Sequence, residues 1–257
     1  MSESEETMSE SGATGGKPAQ HRAKIYASFG ALTVDVQLEL HAPWTVLFGP
    51  SGCGKTTILR AIAGLLPKHR ADQTTLQLER LTGNGPWQDI SGMKPELRFI
   101  GYAPQAGALF PHMTVLENVA FSAAVAHNKP SGAGIVDAAM DLFGLHQLGS
   151  RMPRQLSGGE AQRVNLARAF ARPNARLLLL DEPFTGLDRR QRDDLLSRMV
   201  AWTAQRGVPV LSVTHDVEEA LLLDADVIRL DAGRIVAQGP ARSVLVEEVR
   251  RMQQVLG

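Results

Sequence analysis

Apolar and polar positions alternate without a break through Leu32-Thr33-Val34-Asp35-Val36-Gln37-Leu38-Glu39-Leu40, the period of a strand with one face in water. Trp44-Thr45-Val46-Leu47-Phe48 is a short, mostly apolar run that predicts a strand buried on both sides, and it leads straight into a glycine-rich turn. Beyond the turn the apolar residues switch to helical spacing, at Ile58, Leu59, Ile62, Ala63, Leu65 and Leu66, with Pro67 as the stop. The pattern predicts further strands at 76–78, 98–103, 177–180 and 208–213. Helices are predicted at about 158–172 and around 195–200, the second ending at Gly207, and Asp216 with Glu219 three residues on predicts a capping box for one more. Residues 106–156 differ: Ala-rich segments separated by Gly, Pro and Asn predict a helical subdomain set between strands. Strands alternating with helices predict an α/β fold with a mainly parallel sheet covered on both faces.

Residues 1–22 break this pattern. They are rich in Ser, Glu and Gly, and Met1 and Met8 are their only large apolar side chains. They therefore predict a disordered acidic tail ahead of a single domain at 23–257. Across the 257 residues, 27 Lys and Arg meet 27 Asp and Glu, which argues against nucleic-acid binding by bulk charge. One cysteine excludes an internal disulfide or a thiolate zinc cluster and suits a reducing compartment. No apolar run approaches the roughly 18 residues needed to span a bilayer, and the start lacks the basic-then-apolar layout of a signal peptide. An intracellular protein is expected, whose membrane work would need a partner chain.

The chemistry begins at Gly49-Pro50-Ser51-Gly52-Cys53-Gly54-Lys55-Thr56, which fits the phosphate-loop pattern G-x-x-x-x-G-K-[ST] between a predicted strand and a predicted helix. Its backbone N–H groups and the helix dipole behind them favour phosphate. Lys55 would reach the β/γ-phosphates and the Thr56 hydroxyl would ligate Mg2+, with Thr57 next along the loop. Asp181 ends an apolar strand beside that loop and would hold Mg2+ through its water shell, while Glu182 would polarise an attacking water. His215, after the strand at 208–213, can contact a γ-phosphate or serve as a structural side chain, and the pattern leaves both open. Cys53 reads as a small residue that fits the loop, and its place at a helix N-terminus makes it a chemical probe rather than a catalyst.

Leu156-Ser157-Gly158-Gly159-Glu160-Ala161-Gln162-Arg163 lies between the phosphate loop and Asp181 and resembles the signature of ATP-binding-cassette (ABC) ATPases. Gln105 resembles their Q-loop, Thr185-Gly186-Leu187-Asp188 their D-loop and His215 their switch histidine, so the likeness covers about residues 24–240. The resemblance implies a P-loop NTPase (RecA-like) core with an N-terminal antiparallel β subdomain and a helical signature subdomain inserted at about 106–160. It implies ATP and Mg2+, with Gln105 joining Thr56 and Asp181 at the metal. It also implies a homodimer, in which Ser157, Gly158 and Gly159 of one subunit close over ATP held by the other; a serine and two glycines opening a helix form a second anion site. Family members stack adenine on an aromatic ahead of the loop. Phe29-Gly30 resembles the usual pair, Tyr26 is the other candidate, and core packing is the alternative for either.

Residues 109–119, Leu-Phe-Pro-His-Met-Thr-Val-Leu-Glu-Asn-Val, resemble the segment of bacterial import ATPases that grips a permease. That implies transmembrane permease subunits, a periplasmic solute-binding protein reached through them, and a peripheral place on the cytoplasmic face of the inner (plasma) membrane. Trp87-Gln88-Asp89 and residues 98–102 resemble the ATPase subunits of molybdate importers. Those subunits usually carry an oxyanion-binding domain beyond the cassette, and this sequence stops at Gly257, so sulfate, iron and polyamine stand as alternative solutes. A soluble cassette ATPase driving assembly of iron–sulfur or cell-division machinery is a second reading. A non-hydrolysing nucleotide sensor is a third, against which intact Lys55, Asp181, Glu182 and His215 weigh.

Overall fold

The computed structural model describes residues 20–40, 43–66, 73–81, 85–105, 109–126 and 133–256. Its strands are β1 (His21–Phe29), β2 (Leu32–Leu40), β3 (Trp44–Phe48), β4 (Gln73–Leu81), β5 (Trp87–Asp89), β6 (Ile100–Ala103), β7 (Leu177–Asp181), β8 (Val210–Val213), β9 (Asp226–Asp231) and β10 (Arg234–Pro240). Its helices are α1 (Lys55–Ala63), α2 (Val115–Ala126), α3 (Ala133–Leu142), α4 (Gly158–Phe170), α5 (Arg189–Arg206), α6 (Val217–Leu222), α7 (Ala241–Val244) and α8 (Val246–Leu256).

The strands form two sheets. The first is antiparallel, in the order β2-β1-β4-β5; the second is six-stranded, β10-β9-β3-β8-β7-β6, and parallel except for β10. The alternation read in β2 holds: Val34, Val36 and Leu38 are buried while Asp35, Gln37 and Glu39 face outward. The runs without alternation, β3 and β7, are buried along their whole length. Each central strand serves two cores. Leu178 and Leu180 of β7 point to one, shared with α4, α5 and the helical subdomain, whereas Leu177 and Leu179 point to the other, shared with α1 and the antiparallel sheet.

Several boundaries move. β1 begins at His21, two residues inside the expected tail, because His21 continues the inward phase of Ala23, Ile25 and Ala27; residues 1–19 lie outside the described residues, as does Pro67. The strand expected at 98–103 begins only at Ile100. Phe99 adopts φ 56°, and Arg98 turns inward, its Nη1 donating to the carbonyls of Ala61 (3.2 Å) and Ile62 (2.7 Å) at the end of α1. The helix expected to run to 172 stops at Phe170. Asp216 caps α6 through the amides of Glu218 and Glu219, but the expected box is one-sided: the Asp216 amide donates to Thr214 Oγ1 at 3.0 Å instead, and Glu219 is buried. Within the helical region α4 belongs partly to the main sheet, since a Cβ on Gly101 of β6 would sit 2.3 Å from the Ala169 carbonyl.

Candidate functional site

The loop between β3 and α1 is shaped by close approach. A Cβ at Gly49 would stand 2.3 Å from the Leu230 carbonyl, and one at Gly54 (φ 107°) would stand 2.6 Å from Val34 Cγ2. No side chain caps α1 and no acidic residue occupies its first turn, so its free N–H groups and dipole favour an anion. The Lys55 ammonium is buried and donates to the carbonyls of Gly49 (2.7 Å) and Pro50 (2.8 Å), which holds the loop around it. A cavity of about 260 Å³ opens here, lined by Ser51, Gly52, Gly54, Lys55, Thr56 and Thr57 of the loop with Leu32, Gln105, Glu182 and Val213. Cys53 is 4% exposed, turned into the core beneath the loop, so the thiol fills space.

Thr56 Oγ1 donates to Asp181 Oδ1 at 3.1 Å, joining the helix start to the end of β7. Asp181 is 2% exposed, and burial raises its carboxyl above the ordinary range against the opposing Thr56 hydrogen bond. A hydroxyl and a carboxylate beside a phosphate loop are hard oxygen donors that fit Mg2+, an ion that takes few protein ligands and shares phosphate oxygens. Among the described residues no group of three or more His, Cys, Asp and Glu could hold a metal.

Next to Asp181 the chain turns through Glu182 at φ 48°, its amide donating to the Val213 carbonyl at 3.0 Å. Two segments distant in sequence, and one hydroxyl three residues on, converge on this one carboxylate. Gln105 Nε2 donates to Oε2 at 2.9 Å, Thr185 Oγ1 reaches the same oxygen at 3.4 Å, and His215 Nδ1 lies 3.3 Å from Oε1. Gln105 thus binds Glu182 by its amide nitrogen while lining the same cavity as Thr56. The His215 side chain is 73% exposed, which removes the structural alternative of a packed core histidine.

Ser157 caps α4. Its Oγ accepts from the Glu160 amide at 3.3 Å and donates to Glu160 Oε2 at 2.8 Å, and its own amide donates to that oxygen at 2.7 Å. These bonds hold the Glu160 carboxyl below the ordinary range. Ser157 and Gly158 are exposed and do not line the 260 Å³ cavity of their own chain. Gly159 abuts residues 186–187, since a Cβ there would stand 3.3 Å from the Gly186 carbonyl. Of the two aromatics, Phe29 pairs in register with cavity-lining Leu32, whereas Tyr26 lies on the outward face of β1.

Sequence reasoning missed Leu32 and the buried amide of Asn165 in α4 as site residues, and it quoted Thr185 and Gln162 within the family likeness without giving either a role. Polar residues recurring at 162, 165 and 168 on a helix packed beneath a sheet were the available signal.

Strand, phosphate loop and helix at the carboxyl edge of a parallel sheet, with a carboxylate pair beside the loop, define a nucleoside-triphosphate-binding cassette. The ABC transporter family model matches residues 34–185, and the chain belongs to that family. It is 38% identical over 228 residues to the molybdenum import ATP-binding protein ModC of Rhodopseudomonas palustris, covering 87% of this chain and 58% of that one. Against the sulfate/thiosulfate import ATP-binding protein CysA 2 of Chromobacterium violaceum it is 42% identical over 214 residues, covering 82% and 56%. The molybdate/tungstate import ATP-binding protein WtpC of Thermococcus kodakarensis is 39% identical over 223 residues, covering 86% and 64%. The chain therefore spans less than two thirds of each of these relatives. Among solved structures, the dimeric structure of MJ0796, a bacterial ABC transporter cassette, matches with a TM-score of 0.70 at 25% identity, covering 86% of this chain and 99% of that one. No helix among the described residues is long and apolar enough to cross a membrane.

Proposed function

We propose that this chain hydrolyses ATP as a homodimer and powers solute uptake through separate permease subunits fed by a periplasmic solute-binding protein. The observation that carries the reading is the meeting of Gln105, Thr185 and His215 on Glu182 at the phosphate-loop cavity. Water attacks the γ-phosphorus in line, the bond to ADP oxygen breaks, and Glu182 orients the water and draws on its proton. Lys55 neutralises charge on the phosphates, and His215 steadies the charge that develops on the transferred group. Thr56 and Asp181 would hold Mg2+, with Gln105 beside them, and the ion would supply further charge neutralisation. Exposed Ser157 and Gly158, outside their own chain's cavity, suit a second copy's nucleotide. Phe29 is the favoured adenine platform, being next to Leu32 at the cavity wall.

The solute is a tetrahedral oxyanion. The relatives' names divide between molybdenum or molybdate and sulfate or thiosulfate, and molybdate is favoured by the residues at 87–89 and 98–102. The test is Glu182→Gln, which keeps size and hydrogen bonding. Hydrolysis is expected to fall by about a hundredfold or more, while ATP still binds and a dimer accumulates on size-exclusion chromatography. Wild-type turnover in that variant would overturn the assignment. Uptake of molybdate against sulfate by the reconstituted transporter decides the solute.

A further inference from the structure

A polar row runs along the inner side of α4, on a helix otherwise committed to the core. Gln162, Asn165 and Arg168 follow one another at three-residue spacing, which stacks them on one face. Gln162 is 8% exposed and Asn165 is fully buried. Burial of two amides is costly unless each finds partners, and the partners here are informative. Gln162 Nε2 donates to the Pro183 carbonyl at 2.9 Å, one residue past Glu182. Asn165 Nδ2 donates to the Pro104 carbonyl at 2.8 Å, one residue ahead of Gln105, and lies 3.4 Å from Gln162 Oε1. Arg168 Nη2 donates to Asn165 Oδ1 at 3.3 Å, and its guanidinium lies 5.3 Å from the centroid of the Phe110 ring.

One helix therefore grips both peptide segments that carry the Gln105–Glu182 pair, and its far end touches the loop at 109–115. The same helix begins at Ser157. We infer that Gln162, Asn165 and Arg168 are positioning residues: α4 sets the placement of Gln105 against Glu182 through the Pro104 and Pro183 carbonyls, and joins that placement to Phe110. Asn165 is the keystone, because it alone bonds both its neighbours in the row and the Gln105 segment. Prolines at 104 and 183 suit the arrangement. Each has a fixed φ and no N–H, so its carbonyl is the group left to receive the amide. The inference rests on the hydrolytic reading of Gln105 and Glu182.

The test uses the full chain with Asn165→Ala and with Asn165→Asp, which keeps volume but cannot donate to the Pro104 carbonyl. Both are expected to lower kcat by about tenfold, as a displaced catalytic pair does, with ATP affinity within twofold of wild type. Leu166→Val on the same helix supplies a stability control, expected to lose Tm while keeping kcat. In a Gln105→Ala background the Asn165 substitutions are expected to have no further effect on kcat, since the segment they position has lost its side chain. Unchanged kcat in Asn165→Asp, or an Asn165 effect that adds in full to that of Gln105→Ala, would overturn the inference. If wild type itself fails to hydrolyse ATP, the proposed function fails instead, so the two failures are distinguishable.

Discussion

Two buried titratable side chains oppose one another in their effect on stability. His21 is 2% exposed with neither ring nitrogen bonded, and burial, then the charges of Arg80 and Arg176, push its pKa down to about 3. The unfolded chain takes up this proton near 6.5 and the folded one does not, so stability is lost as pH falls from about 6.5 toward 3. Glu219 runs the other way: burial pushes its pKa up from 4.5 to about 7, helped by Asp216, against the Thr214 bond and the charges of Arg192 and His215. The folded state holds that proton more tightly, so its contribution is present below pH 4.5 and is lost as pH rises through about 7. Thermal melts across this range are expected to show His21→Leu flattening the acid limb and Glu219→Gln flattening the neutral one. Each effect is worth on the order of a few kcal/mol at its limit. Parallel curves for wild type and variants would show that neither group titrates on unfolding.

At the scale of elements, the β1 boundary is testable. Arg22 pairs with Glu39 at 2.7 Å across the strands and lies 4.1 Å above the Trp87 ring, so it ties β2 and β5 to β1. A chain beginning at Ala23 is expected to melt about 4 °C or more below one beginning at Gln20; equal melting would return His21 and Arg22 to the tail. The loop at 109–115 hangs on buried Asn118, whose Oδ1 accepts from the Phe110 amide (2.8 Å) and whose Nδ2 donates to the carbonyls of Phe110, Met113 and Thr114 (3.2, 3.0 and 2.9 Å). Val115, inside the segment that resembles a permease grip, is fully buried, and the Phe110 ring packs tilted against Phe121 with centroids 4.5 Å apart, while Pro111 and His112 are exposed. Phe110→Ala is accordingly expected to lower Tm by about 4 °C. His112→Glu and Met113→Glu are expected to keep Tm and basal ATPase and to lose permease-stimulated turnover. Stimulation intact in both would remove the docking role from this loop. The main strands and helices were legible because their apolar period is unambiguous. The ends were not, because His21 reads as a tail residue until its pairing to Leu40 and Arg80 is known, and Arg98 reads as strand until the end of α1 is there to receive it.

Across the whole molecule, the phosphate loop was legible because its glycines and lysine are contiguous. The meeting of Gln105 and His215 at Glu182 was not, since it depends on the order in which β6, β7 and β8 stand side by side. The resemblance named Gln105, Thr185 and His215 without bringing them onto Glu182, and only the fold supplies that meeting and the partners of the α4 amides. The cap of α4 carries one more consequence for an assembly of two copies. The Ser157 hydroxyl has a single proton, and Glu160 already receives it. Offering that proton to a neighbour's phosphate means withdrawing it from Glu160, which keeps the Ser157 amide as its remaining donor from the cap. In the proposed dimer, association at this hydroxyl therefore exchanges one acceptor for another instead of adding a bond.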